Sequence, residues 1–304
     1  MKDILIANNS HFDSLIDNVQ QTQNRVGSSA GALVIIQDQE IVTEWYDGYH
    51  HHKKGAQKVT SDSLFNIYST RKTYVGLATA IAIVEAGIDI DTLVSDLLED
   101  FPKEYLADVT LRDLATKSGP KYFGPLQIER EELAAKVIER ITGFTINQLI
   151  TEKVLHPLQL ANTEWVSKPK ENLVCDYQAS DGYASVRIES DEGHERNLYC
   201  SAKDLAVWGQ LHLNKGFLNE KQILNSSIFE LMENVKNDKT EKRIFGWYYQ
   251  EDWYYATGAT GCHCVILPEY NTVGVRMLNK YTDDYKDDQL TFNKLLLDCI
   301  KGKR

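Results

Sequence analysis

Ser69 and Lys72 form the pair best suited to covalent chemistry in this 304-residue chain. Residues three positions apart lie side by side on a helix, so the Lys72 amine would reach the Ser69 hydroxyl there. Burial would lower the pKa of Lys72 and make its neutral form available to accept the serine proton. The alternative is a helix-capping serine followed by a solvated lysine. Because the rest of the helix is apolar, we favour a catalytic pair that attacks an ester or amide.

Other serines match nucleophile patterns less well. Two further S-x-x-K matches, at residues 118–121 and 167–170, contain a proline between serine and lysine, which disfavours a shared helical face. Residues 27–31 match G-x-S-x-G with Ser29 at the centre. That motif must follow a strand and open a helix, but here it follows a predicted helix and opens a predicted strand. We therefore expect Ser29 to lie in a turn.

The elements that position Ser69 can be predicted from hydrophobic patterns. Residues 73–86 are almost all small or apolar, which predicts a helix buried nearly all round and ended by Gly87. Sheet-like runs follow the first helix and return near the chain's end, and a final helix closes the chain. We expect the two ends to pair into one sheet around a helical middle. The predicted strands are residues 32–37, 41–46, 244–250, 253–257, 262–267 and 272–278, and the predicted last helix is 288–300.

Three capping boxes are predicted where a hydroxyl residue precedes an aspartate by three positions. They are Ser10 with Asp13, Thr110 with Asp113, and Ser201 with Asp204. A further helical period is predicted at residues 132–141, ending at Gly143.

The composition argues against several function classes. The net charge is −11, from 33 basic and 44 acidic side chains, so we expect neither nucleic acid nor anionic membrane as a partner. Residues 1–25 lack a long apolar stretch, and five cysteines are too few and odd for a disulfide scaffold, which favours a cytoplasmic location. A strand would point His263 away from Cys262 and Cys264, so we expect no metal site there. No cofactor motif stands out.

The run at residues 60–72 resembles the nucleophile region of the serine β-lactamase, penicillin-binding protein and esterase superfamily, above all its class C and esterase branch. Further similar segments follow in the family's order, from about residue 30 to about residue 280. These segments are 85–91, 110–114, 118–119, 137–143, 156–160, 201–205 and 258–261.

The resemblance implies an α/β (α+β) fold of the β-lactamase/transpeptidase-like type. Residues 1–75 and 200–304 would form a lobe with an antiparallel sheet flanked by helices, and residues 76–199 would form a mainly helical lobe, with the site at their junction. It also implies Ser69 as nucleophile and Lys72 as proton relay. The backbone N–H groups of Ser69 and Ala259 would form the oxyanion hole beside Thr257 and Gly258.

Two departures from the family pattern affect the site. The family's Tyr-x-Asn falls on residues 126–128, which contain no tyrosine, so Tyr122 is the candidate replacement. The third motif lacks its cation, because Ala256 precedes Thr257 and Gly258. Without this cation, turnover of β-lactams is less expected. His263 and Arg276 are nearby basic residues that could replace the missing positive charge.

The expected function is a β-lactamase-like serine hydrolase acting on a small ester, lactone or amide, without a cofactor. An alternative is a catalytically impaired or inactive member that binds a ligand or serves in assembly. A further alternative is a D-amino-acid peptidase.

Overall fold

The structure is a computed structural model that describes most of the chain. Some of the motifs predicted from the sequence include residues that lie outside the described ranges, namely Ser118, Gly119, Pro120, Leu126 and Pro169. The described ranges are 10–106, 108–117, 121–125, 127–168, 170–175, 193, 197–236, 243–251, 253–280 and 285–302.

Helices and strands are numbered in chain order. The helices are α1 (Asp13–Val26), α2 (Lys72–Ala86), α3 (Val94–Leu97), α4 (Lys103–Leu106), α5 (Leu111–Thr116), α6 (Arg130–Thr142), α7 (Ile146–Ile150), α8 (His156–Leu158), α9 (Ala202–Leu213), α10 (Ser226–Lys236) and α11 (Tyr285–Lys301). The strands are β1 (Ala30–Gln37), β2 (Glu40–Gly48), β3 (Phe65–Asn66), β4 (Tyr122–Phe123), β5 (Ile128–Glu129), β6 (Thr163–Trp165), β7 (Leu198–Cys200), β8 (Phe217–Leu218), β9 (Lys221–Gln222), β10 (Arg243–Ile244), β11 (Trp247–Tyr249), β12 (Tyr254–Thr257), β13 (His263–Leu267) and β14 (Thr272–Leu278).

An antiparallel sheet joins the two ends of the chain. Within the described residues it contains seven strands in the order β10-β11-β12-β13-β14-β1-β2. The pairing of β1 with β14 places Val34 opposite Val275, which confirms that the chain ends share one sheet. The β1–β2 hairpin is also confirmed. The observed fold is therefore the mixed α/β architecture with an antiparallel sheet flanked by helices.

The two faces of the sheet bury different sets of side chains, because successive residues of a strand point to opposite sides. On one face Leu33 and Ile35 pack with Phe12 of the first turn and Phe292 of α11. On the other face Val34 and its neighbours join the large core that extends into the helices. The sheet is covered on both sides, and the larger core connects it to the rest of the chain.

Helix α2 packs mainly against other helices, while α9 packs on the sheet. Helix α2 is buried from Thr73 to Ile83 and contacts α6, α7 and α10, as its almost wholly apolar sequence predicts. Gly87 ends it in the left-handed region at φ 63°, where glycine carries no steric cost. Both sides of α2 are thus fixed by packing.

The lobe boundaries proposed at residues 75/76 and 199/200 stay predictions.

One predicted capping box is wrong and one is only half formed. Residues Ser10–Phe12 form a 3-10 turn, and α1 begins at Asp13 with Phe12 at its N-cap and no side-chain cap. The full burial of Phe12 in the core selects this tighter turn. The Thr110 box forms with both hydrogen bonds. Ser201 accepts from the Asp204 N–H, but the Asp204 carboxylate accepts from Asn162 and Thr163 instead of completing the box.

Candidate active site

Ser69 lies in a tightly held turn immediately before α2. The 3-10 turn Tyr68–Arg71 follows β3 and runs directly into the helix at Lys72. Tyr68 has a φ of 46°, an uncommon value for a residue other than glycine, and its N–H donates to Asn66 Oδ1 at 3.0 Å. Strained residues of this kind persist only where the surroundings hold them, and they cluster at functional sites.

The segment after β12 packs against this turn. A Cβ on Gly258 would lie 2.4 Å from the Ile67 carbonyl oxygen, so only glycine allows the approach. The Gly261 N–H donates to the Gly258 carbonyl at 2.9 Å, and the Thr260 hydroxyl donates to the Asn66 carbonyl at 3.4 Å. The structure therefore brings Ser69 together with the segment that contains Gly258 and Ala259. Their roles in an oxyanion hole stay a prediction.

Lys72 is mostly buried and forms an ion pair that the sequence did not predict. Its Nζ lies 3.0 Å from Glu131 Oε1, with 21% of the lysine side chain exposed. Burial, assisted by the charges of Arg243 and Arg71, lowers the pKa of Lys72 to about 8 against the opposing attraction of Glu131. Among the described residues the Lys72 amine bonds to Glu131 and not to Ser69. The expected direct Ser69–Lys72 hydrogen bond is absent from this conformation.

Glu131 is held in its ionised form. Burial alone would raise its pKa, but the charge of Lys72, followed by Arg71 and Arg243, lowers it to about 2. It occupies the first turn of α6, which begins two residues earlier than the predicted helix at residues 132–141. Acidic residues are common in first turns because they complement the helix dipole, so nothing in its local pattern distinguishes Glu131.

Tyr122 lies on the surface in the short strand β4. Its side chain is 41% exposed, and its hydroxyl accepts a hydrogen bond from Lys121 Nζ at 2.6 Å. It makes no hydrogen bond to Ser69 or Lys72 in the described structure. Its role as the replacement for the family tyrosine stays a prediction.

His263 and Arg276, the candidate replacements for the missing cation, lie on the sheet face opposite Ala256. Ala256 points into the large core, whereas Thr257 points to the opposite face and accepts a hydrogen bond from His263 Nδ1 at 2.7 Å. Arg276 donates to His263 Nε2 and forms an ion pair with Asp288 of α11. Burial, with the Arg276 charge, lowers the pKa of His263 to about 4, so it is neutral at pH 7. Neither His263 nor Arg276 can supply a positive charge at Ala256.

Comparisons with known proteins agree with this architecture. The model of the Beta-lactamase family matches residues 12–123 and 130–297. The chain belongs to the Beta-lactamase family. An uncharacterized protein of Alkalihalophilus pseudofirmus is 28% identical over 328 aligned residues, covering 96% of this family member and 97% of the relative.

Two solved structures share the fold of this Beta-lactamase family member. A penicillin-binding protein homolog from Caulobacter crescentus superposes with a TM-score of 0.76 at 14% identity, covering 98% of this chain and 100% of that one. A candidate beta-lactamase from Bacteroides dorei superposes with a TM-score of 0.73 at 13% identity, covering 95% and 99%. At these identities the likeness establishes the fold.

Among the described helices, none combines the length and the apolar character that a membrane crossing needs. The described His, Cys, Asp and Glu side chains form no cluster of three arranged to hold a metal ion. His263 and Cys264 lie on opposite faces of β13, as the strand pattern predicts.

Proposed function

We propose that this family member is a serine hydrolase that forms an acyl-enzyme on Ser69 with a small ester, lactone or amide. The observation that carries the proposal is the junction at Ser69. A strained turn holds this serine between the Gly258 segment and the first residue of α2, where Lys72 has a lowered pKa. Membership of the family supports the same reaction class.

In the proposed reaction the neutral Lys72 amine takes the Ser69 proton as the serine oxygen bonds to the substrate carbonyl carbon. The amine must turn from Glu131 toward Ser69, a movement in keeping with catalytic hydrogen bonds that tighten only when substrate binds. The N–H groups of Ser69 and Ala259 would stabilise the carbonyl oxygen as it becomes negative. The bond to the leaving group then breaks, the proton passes to that group, and water later hydrolyses the acyl-serine.

The substrate class follows from what the third motif lacks. Ala256 is buried and uncharged, and the nearest basic side chains in sequence lie on the other face of the sheet. An ester, lactone or amide does not need a cation at that position, so we propose these substrates rather than β-lactams.

The five cysteines all carry thiols, which supports the cytoplasmic location predicted from sequence.

Intact-mass spectrometry tests the proposal. The wild-type protein, Ser69→Ala and Ser167→Ala would each be incubated with a fluorophosphonate, a penicillin and an activated ester. Ser167 belongs to another S-x-x-K match and is exposed, which makes it the matched control. We expect an adduct or turnover in wild type and Ser167→Ala but not in Ser69→Ala. Full hydrolysis by Ser69→Ala would overturn the proposal.

The second candidate is a catalytically impaired member that binds a ligand or serves in assembly. The observation that favours it is the Lys72 amine bonded to Glu131 at 3.0 Å rather than to Ser69. Folded wild-type protein that forms no adduct with any of the three reagents would support this candidate. A D-amino-acid peptidase would keep the Ser69 chemistry and differ in turning over peptides that end in a D-residue.

A further inference from the structure

A small cavity lies beside Lys72, on the side of α2 that faces α5 and α6. Its volume is about 40 Å³, room for about three water-sized groups. Apolar side chains of α2, α5 and α6 form part of its wall, and the Phe245–Gly246 segment closes one side. The cavity is therefore mixed in character, with space for a compact ligand that has both a polar and an apolar part.

The polar lining is strongly basic. Four basic side chains line the cavity, Lys72, Lys117, Arg130 and Arg243, against one acidic side chain, Glu131. Subtracting one negative charge from four positive charges leaves an excess of three, in a chain whose overall net charge is −11. General basicity of the protein does not explain this concentration of charge.

Two of these cations have no counter-ion among the residues that the structure describes. Arg243 is only 9% exposed, donates to the Tyr248 hydroxyl at 3.1 Å and stacks over that ring, but no described carboxylate lies within ion-pair distance of it. Lys117 makes no ion pair with a described residue either. Burial, followed by the charge of Arg243, lowers the pKa of Lys117. Glu131 is already engaged by Lys72.

We propose that this cavity binds the carboxylate group of a small organic acid. A planar carboxylate matches the fork of an arginine guanidinium and can accept from lysine at the same time. The apolar wall suits the short carbon chain that an inorganic anion would lack. The carboxylate can belong to a free acid or to a substrate whose carbonyl is attacked by Ser69, and the second source rests on the proposed function.

Saturation-transfer NMR on the methyl group of acetate tests the site, with acetamide as the neutral probe of the same shape. Ionic strength is held constant with sodium chloride. We expect a signal from acetate and a much weaker one from acetamide, in wild type and equally in Ser69→Ala. Because binding is read without catalysis, inactivity of Ser69 would not affect this result. Equal signals from acetate and acetamide would overturn the site.

Lys117→Asn tests the lining residue, and Lys215→Asn is its matched control. Both lysines have a left-handed backbone, with φ of 63° and 49°, which asparagine tolerates, and Lys215 does not line the cavity. Loss of a charged hydrogen bond should weaken acetate binding about tenfold in Lys117→Asn. Lys117→Arg keeps the charge and should retain binding. Equal affinity of Lys117→Asn and Lys215→Asn would overturn the assignment.

The source of the carboxylate is read from Ser69 acylation by two activated esters, one ending in a carboxylate and one in a methyl group. Faster acylation by the carboxylate ester, with the advantage lost in Lys117→Asn, would assign the site to the substrate. Acetate binding without that preference would assign it to a free acid. Both results support a carboxylate site.

Discussion

Burial and three charged neighbours set the protonation state of Lys72, the candidate base. With a pKa of about 8, roughly one-tenth of Lys72 is neutral at pH 7, which is enough to accept a proton without leaving the amine permanently uncharged. Glu131 opposes burial by favouring the ammonium form, while Arg243 and Arg71 assist burial. The pKa of Lys72 therefore depends on three charged neighbours as well as on its burial.

Glu131→Gln should move the pH dependence of Ser69 acylation to lower pH. In wild type the rate should rise as Lys72 loses its proton near pH 8. Removal of the carboxylate takes away the attraction that favours the ammonium, so the pKa of Lys72 falls and the rise occurs at lower pH. Acylation rates measured with an activated ester from pH 5 to pH 10 would show the shift.

Glu132→Gln is the control for this experiment, since Glu132 lies in the same turn and pairs with Lys136 instead. Its rate profile should keep the wild-type midpoint. An unchanged midpoint in Glu131→Gln would show that Lys72 does not control the rate through its proton.

At the scale of the elements, α2 is fixed by a very close approach of the segment between β10 and β11. A Cβ on Gly76 would lie 2.0 Å from the Phe245 carbonyl oxygen, and one on Gly246 would lie 2.2 Å from the Lys72 carbonyl oxygen. Two glycines thus allow two backbones to meet at the start of α2. This contact holds Lys72 and the wall of the cavity in place.

Gly76→Ala should destabilise the protein by about 1–3 kcal/mol, the usual cost of overpacking. Helix propensity alone predicts the opposite sign, a gain of about 0.5–1 kcal/mol. Urea unfolding would measure the difference, with Gly302→Ala as control because its Cβ would meet only ordinary contacts at 3.4 Å or more. A stabilised Gly76→Ala protein would show that the close approach is not required.

At the scale of the whole molecule, a buried polar network ties the last helix to the sheet. Arg276 of β14 is fully buried and bonds to His263 of β13 and to Asp288 of α11. Arg25 of α1 lies 3.5 Å from the same carboxylate. The network thus connects elements from both ends of the chain on the sheet face opposite the large core.

Asp288→Asn should destabilise the fold by about 3–5 kcal/mol, because it leaves the Arg276 charge buried without its counter-ion. Asp298→Asn, an exposed position on the same helix, is the control and should change the free energy of unfolding by less than about 0.5 kcal/mol. Urea unfolding of both variants at pH 7 would measure these changes. Equal stability of the two variants would contradict the role given to the network.

The ion pair between Arg276 and Asp288 makes the stability of the folded state depend on pH. Burial raises the pKa of Asp288, but the charge of Arg276 and its hydrogen bond to the carboxylate outweigh burial and lower the pKa below its usual value. The ionised carboxylate therefore stabilises the folded state above about pH 4, the unfolded pKa of aspartate, and this contribution is lost as the pH falls through the lower folded pKa. Urea unfolding of Asp288→Asn from pH 7 to pH 3 should show a shallower loss than wild type.

Most of the fold can be predicted from local sequence patterns. Hydrophobic periods predicted the β1–β2 hairpin, the strands β12 to β14 and the last helix, but the single run predicted at residues 244–250 is divided by a turn between β10 and β11. The apolar run of α2 predicted its burial, and the ordered motifs predicted the family that the comparisons establish. These features are readable because strand alternation, helix period and glycine termination depend on residues near one another in the chain.

The set of charges around Lys72 depends on long-range packing. Glu131, Lys117 and Arg243 come from separate parts of the chain, and they line one cavity with Lys72 because of how α5, α6 and the segment after β10 pack against α2. The local sequence around each of these residues is the same as that expected around an ordinary solvent-exposed charged residue. The sequence likewise named His263 and Arg276 as replacements for the missing cation, but the pleat of the sheet sends them to the face opposite Ala256. Long-range packing and the direction of each side chain across the sheet are properties of the assembled elements, so no local pattern could reveal them.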